Sequence, residues 1–518
     1  LLLLNDNRPE ISENEIFNDK ISSDDKILSE KSLNIISSKS RGYVSFIRGN
    51  DPNTFPYRLY PTINKTTKKF IITTFPEINP FNEIIKEKEK FNYLKNKLYG
   101  CKFNKYQSNI YNNFIKENPN NKNIYDNQLE QISIISYPLI NNNLKYSYGA
   151  NGLNRCFNNN NGIYSYKKEI LKNKDYGYFL QLDKIQDFSS KFFLLLNTIK
   201  NTKGIIFIFT RYIEGSIIPL MLALEENGYN KYKNKNILDR SNRKIKKISY
   251  DGYTEKECNK LNIEFKQAKY IVITGSDISK NNKEELEALS NPTNKRGEEI
   301  KIIIGSEVTK EGIDMKRIRE IHILEPWYHL NRIEQVIGRG IRYCSHKELN
   351  KNEKNVTVYL YSSYDNLKIE SSDIYKYRRA ELKSTNIQLI ENVLQKNAID
   401  CSIFKNINEI DETKLTDETI ETSQLINKKN GTNKYQIIYN YNPYKKQYFN
   451  LLCGKYCNYK CNTETEIKTN DISTINKNQI DNIFKLVYKY IAALFKKQLV
   501  YKLSKIVDII QLYITIDK

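Results

Sequence analysis

Between residues 185 and 361, short continuous apolar runs alternate with segments whose apolar residues recur every three or four positions. The continuous runs predict buried strands and the periodic segments predict helices. Strands are predicted at 205–209, 248–250, 270–274, 300–304, 320–324 and 356–361, and helices at 217–227, 255–266, 283–289 and 330–337. Strands that are apolar on both faces are typical of a parallel sheet covered by helices. The pattern therefore predicts a doubly wound α/β sheet.

The pattern is weaker outside this region. Residues 43–47 alternate and predict a short strand that pairs with residues 70–74, and 132–137 predict another within the Asn-rich stretch 104–161. Residues 480–496 predict an amphipathic helix. These observations predict four parts, namely a connector at 1–40, an Asn-rich accessory region at 41–184, the α/β domain at 185–385 and a mostly helical C-terminal accessory region at 386–518.

The charge composition favours one class of binding partner. The 518 residues contain 82 Lys and Arg against 60 Asp and Glu, a net charge of +22. A basic surplus favours a polyanion, nucleic acid before membrane, although a bias toward Asn, Lys, Ile and Tyr also follows from an AT-rich genome. No apolar run approaches the ~18 residues of a membrane span. The eight cysteines, scattered except for one cluster near the C-terminus, do not form a dense disulfide framework, so we expect a soluble intracellular protein.

The start of the chain has no initiator. Position 1 is Leu, and the first methionine is Met221. We therefore expect this chain to be a processed product or a piece of a longer one.

The segment from Ile302 to His346 carries the most specific chemistry. A predicted strand is followed by a predicted helix that bears Gln335, Gly338, Arg339 and Arg342. Residues three or four apart share a helix face, so Gln335, Gly338 and Arg342 are expected side by side. Arginine offers a permanent charge and a planar fork of donors suited to a transferring phosphoryl group. The alternative is a pair of solvated helix charges. Gly338 is expected to let the helix approach another backbone closely.

These residues resemble a known family. QVIGRGIR and SEVTKEGID resemble motifs VI and V of superfamily 2 helicases of the DEAD and SNF2 kind, and KGIIFIFTRY resembles motif IV. HILEPWYHLNRIEQVIGRGIRYCSH, together with RGYVSFIRGNDPNTFPYRLYP, is similar to helicases of nucleocytoplasmic large DNA viruses related to poxvirus nucleoside triphosphatase I and early transcription factor ATPases. The resemblance covers about residues 40–61 and 190–400 and implies a RecA-like fold for the α/β domain.

The resemblance also implies roles for individual residues. Arg339 and Arg342 would act on the γ-phosphate of ATP. Gly312, Asp314, Gln335 and Gly338 would line the nucleotide site. Thr210, Arg211, Ser306 and Thr309 would contact the nucleic-acid backbone. The alternatives are turn and cap roles for Ser306 and Thr309, and a capping role for Asp314.

A complete member of the family has a first RecA-like domain with a GxxxxGK[ST] loop, and these 518 residues contain no such loop. We therefore expect the C-terminal half of a motor that is inactive alone, with ATP and Mg²⁺ held mainly by the first domain. Expected partners are DNA or RNA, that domain and a viral RNA polymerase, without a membrane, in host cytoplasm or virion. The alternative is a non-catalytic nucleic-acid-binding or transcription-termination subunit.

Other residues carry weaker signals. His322, His329 and His346 show no metal spacing and are expected to be structural. Trp327 is expected to anchor sheet to helix rather than stack on a base.

Two clusters leave alternatives open. Arg41, Arg48 and Arg58 lie among aromatic residues and are expected either to bind a single strand or to belong to an aromatic core. CGKYCNYKC, at 453–461, offers three thiols for zinc, whereas structural zinc usually takes four ligands. Ordinary buried thiols are the alternative.

Overall fold

A computed structural model describes residues 16, 28–40, 43–46, 55–61, 70–91, 94–119, 121–140, 143–233, 236–241, 243–275, 282–307, 315–401, 420–426, 434–441, 477–496 and 503–506. Its strands are β1 (Tyr57–Leu59), β2 (Leu98–Lys102), β3 (Phe157–Asn160), β4 (Ile163–Tyr166), β5 (Ile205–Phe209), β6 (Asn230–Lys231), β7 (Lys269–Ile273), β8 (Ile302–Gly305), β9 (Ile318–Ile323), β10 (Asn355–Tyr364), β11 (Ile420–Ile426) and β12 (Lys434–Tyr441).

The α-helices of the described residues are α1 (Glu30–Ser40), α2 (Lys105–Glu117), α3 (Gln128–Ile134), α4 (Gly149–Cys156), α5 (Lys168–Lys172), α6 (Ile185–Phe188), α7 (Ser190–Ile199), α8 (Ile218–Glu226), α9 (Glu255–Leu261), α10 (Asn282–Ser290), α11 (Leu330–Gly340), α12 (Ser372–Lys396) and α13 (Lys477–Phe495). A π-helical turn, Ile213–Ile217, leads into α8.

One parallel sheet organises the chain. Its strand order is β1-β10-β9-β5-β8-β7-β6, and β2 pairs with the second half of β10. In the centre, Phe207 of β5 lies opposite Ile321 of β9 and Ile303 of β8. Two antiparallel hairpins, β3–β4 and β11–β12, stand apart from this sheet.

Both faces of the sheet are covered, as the unbroken apolar strands predict. Alternate residues of β5 point to opposite faces. Ile206 packs in one apolar cluster with Leu195 of α7, and Phe207 packs in another with Ile333 of α11. The prediction of a doubly wound α/β fold is confirmed.

The predicted strands at 205–209, 270–274, 300–304, 320–324 and 356–361 are confirmed within three residues at each end. Helix α8 ends before Gly228, whose φ of +95° is the left-handed conformation expected at a helix end. A Cβ at Gly228 would lie 2.2 Å from the Lys246 carbonyl oxygen, so only glycine fits there.

Three predicted strands are wrong. Residues 132–134 belong to helix α3, where Leu129 and Ile132 are both fully buried; a short apolar run does not distinguish strand from helix by periodicity. Residues 248–250 form only isolated bridges. Residues 43–46 form no strand, since Phe46 N–H donates to the Asp400 carboxylate at 2.9 Å, and Ile71 bridges to Tyr99 instead.

The accessory region contributes to the main sheet, which the sequence pattern did not predict. Strands β1 and β2 both lie parallel to β10. The chain divides into two compact units, one of residues 49–385 with 411–455, and the other of residues 1–48, 386–410 and 456–518. Among the described residues, no helix is both long and apolar enough to span a membrane.

Candidate nucleotide and nucleic-acid site

The carboxyl ends of the central strands gather the predicted polar residues. Strands β5, β8 and β9 are parallel neighbours, so the residues that follow them meet at one edge of the sheet. Thr210 follows β5, Ser306 follows β8 and Glu325 follows β9. Ligands of open α/β sheets bind outside this edge. This edge of the sheet is therefore a candidate binding site.

The two motif IV residues are held by internal contacts. Thr210 is fully buried, and its hydroxyl lies within hydrogen-bond reach of the Ser216 hydroxyl and the Glu325 carboxylate. Arg211 donates to the Glu130 carboxylate and lies over the Trp327 ring at 4.9 Å. Thr210 thus offers no surface to a ligand in this arrangement, whereas Arg211 is partly exposed.

Glu325 was missed by the sequence reasoning. It is fully buried, and burial raises its pKa to about 7 despite the nearby Arg211 guanidinium. Its Oε2 has no hydrogen-bond partner among the described residues. A carboxylate soon after a predicted strand, at the edge where ligands bind, was the signal that could have found it.

A second buried acid joins three elements. Glu130 of α3 is fully buried and accepts from Arg211, from the Tyr212 hydroxyl at 2.6 Å and from Lys376 of α12 at 3.0 Å. Burial, and then the Glu130 charge, raise the pKa of Tyr212. The Asn-rich sequence around Glu130 gave no sign of this role. The carboxylate ties the motif IV turn to both an N-terminal and a C-terminal helix.

An open cavity of about 730 Å³ lies beside this turn. Arg211, Tyr212 and Tyr148 contribute to its wall, together with the start of α4. An arginine and two tyrosines suit phosphates and bases respectively. The cavity is a candidate path for a nucleic-acid strand past motif IV.

Trp327 anchors sheet to helix, as predicted. Its side chain is buried, and its ring packs against Phe209 with centroids 5.8 Å apart. Arg332, at the start of α11, also lies over this ring at 4.8 Å. The tryptophan thus links the end of β5 to the helix that carries motif VI.

Helix α11 is amphipathic. Leu330, Ile333, Val336 and Ile337 are buried against the sheet at helical spacing. Gly340 brings the helix end close to β9, since a Cβ there would lie 3.0 Å from Ile321 and 3.1 Å from Ile318. The polar face of the helix is consequently directed away from the core.

The motif VI residues lie on and just beyond that polar face. Gln335 is exposed, and Gly338 and Arg339 are half-buried. Arg339 Nε is buried with no hydrogen-bond partner in the part of the chain that the structure describes. Arg342 is half-buried and lies two residues after the helix ends, in the turn that follows it.

The close approach predicted at Gly338 is not made within the described part of the chain. Among the described residues, nothing lies within 4 Å of a Cβ built on Gly338. Gly340 makes the close approach instead.

Arg58 meets this helix. Its guanidinium donates to both oxygens of Glu334, at 2.7 and 2.9 Å. This internal ion pair is neither of the two alternatives predicted for Arg58, which were strand binding and an aromatic core. Arg41 and Arg48 lie outside the described residues.

The remaining predicted residues divide into two groups. Ser306 is buried at the end of β8, where its N–H donates to the Ile273 carbonyl at 3.2 Å. Three predicted site residues lie outside the described residues, namely Thr309, Gly312 and Asp314. Their roles stay predictions.

Two histidines have internal partners, as expected of structural residues. His322 stacks on Tyr359 and contacts the Glu320 carboxylate at 3.0 Å. His346 bonds the Ile318 carbonyl at 2.6 Å, and burial lowers its pKa to about 3. His329 is exposed at the start of α11.

The described residues offer no metal site. Among the described residues no cluster of three or more His, Cys, Asp or Glu side chains suits a metal. Cys453, Cys457 and Cys461 lie outside the described residues, so the zinc question stays open.

Comparison with known proteins finds a family model that matches part of the chain. Residues 190–344 match the helicase conserved C-terminal domain. A protein of Acanthamoeba polyphaga mimivirus named as an ATP-dependent RNA helicase is 28% identical over 71% of this chain and 34% of its own length. A second such mimivirus protein is 30% identical over 44% of this chain and 35% of its own length.

A third relative comes from another virus. The termination factor NPH-I homolog of African swine fever virus is 29% identical over 41% of this chain and 33% of its own length. The chain spans about a third of the length of these relatives. The chain thus carries a RecA-like helicase C-terminal domain, and its relatives are helicases and termination factor homologues of large DNA viruses.

Proposed function

We propose that this chain is the C-terminal motor half of an ATP-dependent nucleic-acid helicase or translocase that works in viral transcription or genome processing. The observation that carries the proposal is the arrangement of α11, whose apolar face packs on the sheet while Gln335, Arg339 and Arg342 lie on or beside its polar face. ATP would bind between this face and a first RecA-like domain. That domain would hold most of the Mg²⁺ coordination.

Arg339 and Arg342 would stabilise the charge that develops on the γ-phosphate during hydrolysis. Preorganised cationic donors aimed at a transferring phosphoryl group act mainly on the transition state. Arg339 supports this role because its Nε is buried without a hydrogen-bond partner in the described part of the chain. Gln335 and Gly338 would border the nucleotide on the same face.

Nucleic acid would pass the carboxyl edge of the sheet. Arg211 lines the open cavity at the end of β5, and Ser306 ends the neighbouring strand β8. Closure of the two RecA-like domains on ATP, followed by reopening, would move a strand across this edge.

A second function is a termination subunit that binds nucleic acid without hydrolysis. One relative is named as a termination factor homologue.

The test compares two proteins. The chain alone is expected to hydrolyse ATP no faster than buffer, with or without single-stranded DNA or RNA. The chain joined to the first RecA-like domain proposed above, called the extended protein below, is expected to show turnover stimulated by nucleic acid. Robust turnover by the chain alone would refute the half-motor proposal, and a silent extended protein that still binds strands would favour the termination subunit.

A further inference from the structure

A short N-terminal segment, residues 55–60, lies against the helix that carries motif VI. It contains β1, the edge strand that pairs with β10. Arg58, in the middle of β1, donates two hydrogen bonds to Glu334 of α11, at 2.7 and 2.9 Å. Each of the two side chains is only 11% exposed. A largely buried bidentate pair of this kind fixes the orientation of the two side chains as well as the distance between them.

The same segment makes a second contact beyond the helix. The ring of Phe55 meets that of Tyr343 edge-on, with centroids 6.1 Å apart. Tyr343 directly follows Arg342 in the chain. The segment therefore contacts the motif VI element on both sides of its arginines, at Glu334 before them and at Tyr343 after them.

These contacts restrain motions of α11 that the packing of its apolar face alone does not prevent. The buried side chains of α11 hold the helix on the sheet, but Glu334 lies on its polar side, four residues before Gly338. A tie at Glu334 resists rotation and tilting of the helix, which would displace Arg339 and Arg342 together. Displacement of about 1 Å in a catalytic group can cost 100-fold in rate.

We propose that Arg58 is a positioning residue for ATP hydrolysis, which orients Arg339 and Arg342 by holding Glu334 of α11. The proposal rests on the function proposed above for the two motif VI arginines. Arg58 itself would touch neither ATP nor nucleic acid. Its effect should consequently fall on the chemical step and leave binding intact.

The experiment measures steady-state ATP turnover, single-strand binding and a thermal melt on variants of the extended protein. Arg58→Ala and Glu334→Ala are each expected to lower kcat roughly 10- to 100-fold, while KM for ATP and strand affinity stay within about twofold of the parent. Arg58→Lys should restore kcat only in part, because an ammonium group cannot form the planar fork. The exchanged double variant, Arg58→Glu with Glu334→Arg, should restore kcat to within a few-fold of the parent.

A matched control separates positioning from stability. Arg243 forms a similar bidentate pair with Glu226, with side chains 16% and 0% exposed, and lies beyond β6 rather than beside α11. Arg243→Ala should lower the melting temperature without lowering kcat in the protein that remains folded.

The outcomes are distinguishable from failure of the proposed function. If Arg342→Ala abolishes turnover while Arg58→Ala turns over like the parent, the positioning proposal is wrong and the function stands. If Arg342→Ala itself leaves turnover unchanged, the role proposed for the motif VI arginines fails and the positioning proposal fails with it. An exchanged variant that melts like the parent yet stays as slow as the single variants also overturns the positioning proposal.

Discussion

At the residue scale, the charged residues of the candidate site differ in how far they are buried. Arg342 is half-buried in the turn after α11, and Glu325 is completely buried at the end of β9. Arg342 is proposed above to act on ATP, whereas Glu325 is an acid whose pKa is raised by burial. Each therefore has its own test.

Arg342→Ala in the extended protein should lower ATP turnover by ~10³-fold or more, the scale of phosphate-directed arginines in other phosphoryl-transfer enzymes. Arg342→Lys should rescue poorly, since lysine lacks the fork of donors. The melting temperature and strand binding should stay close to the parent values. Turnover within a few-fold of the parent, with an unchanged melt, would contradict the assignment of motif VI.

Glu325 should make stability depend on pH. Its pKa is raised to about 7 by burial, so folding favours the protonated form between the unfolded pKa, about 4.5, and 7. The free energy of unfolding should therefore fall as pH rises through this window, with Glu325 contributing at most roughly 3 kcal/mol. Glu325→Gln keeps an acceptor for Thr210 and should flatten this dependence.

Urea unfolding of parent and Glu325→Gln at pH 5 and pH 8 measures the effect. The difference between the two proteins isolates Glu325 from other acids, such as Glu285, whose pKa is also raised to about 7. Equal pH dependence in both would show that Glu325 titrates normally.

At the element scale, α11 combines a packed face and an open face, and its two glycines differ accordingly. Gly340 lies tightly against β9, whereas no described residue lies within 4 Å of a Cβ built on Gly338. The same substitution should therefore have opposite effects on stability two residues apart.

Gly338→Ala should stabilise the chain by about 1 kcal/mol, because alanine is the better helix former and its Cβ would contact none of the described residues. Gly340→Ala should destabilise it, because its Cβ would lie 3.0 Å from Ile321. Thermal melts of both variants of the chain measure this. If the open side of Gly338 receives a neighbouring domain, Gly338→Ala should also slow ATP turnover in the extended protein despite its higher melting temperature.

At the scale of the whole molecule, the net charge of +22 and the cavity beside Arg211 point to a partner bound through phosphates. The chain should bind single strands weakly and lose affinity steeply with salt, with a log–log slope of about −0.7 for each phosphate contacted. Fluorescence anisotropy with a labelled oligonucleotide between low and physiological salt measures the slope. A flat titration, or no binding at low salt, would contradict this prediction.

The sequence by itself determined the central sheet and the helicase C-terminal type of the domain. The run 205–209 is short, apolar at every position and made only of Ile and Phe, which favours a strand buried on both faces over a helix. The spacing of Gln335, Gly338, Arg339 and Arg342 is local to one helix and the turn after it. Local patterns of this kind survive in the sequence because neighbouring residues share one element. The ambiguous run at 132–137 failed because strand and helix bury it equally well.

Tertiary structure alone decided which distant residues meet. Arg58 and Glu334 are 276 positions apart, and Lys376 and Glu130 are 246 apart, so no spacing rule connects them. Strands β1 and β2 join β10 although they precede it by more than 250 residues, because an edge strand satisfies its hydrogen bonds with whichever chain segment reaches it. Which strands pair in a parallel sheet depends on topology and packing, and the hydrophobic pattern of a single segment specifies neither.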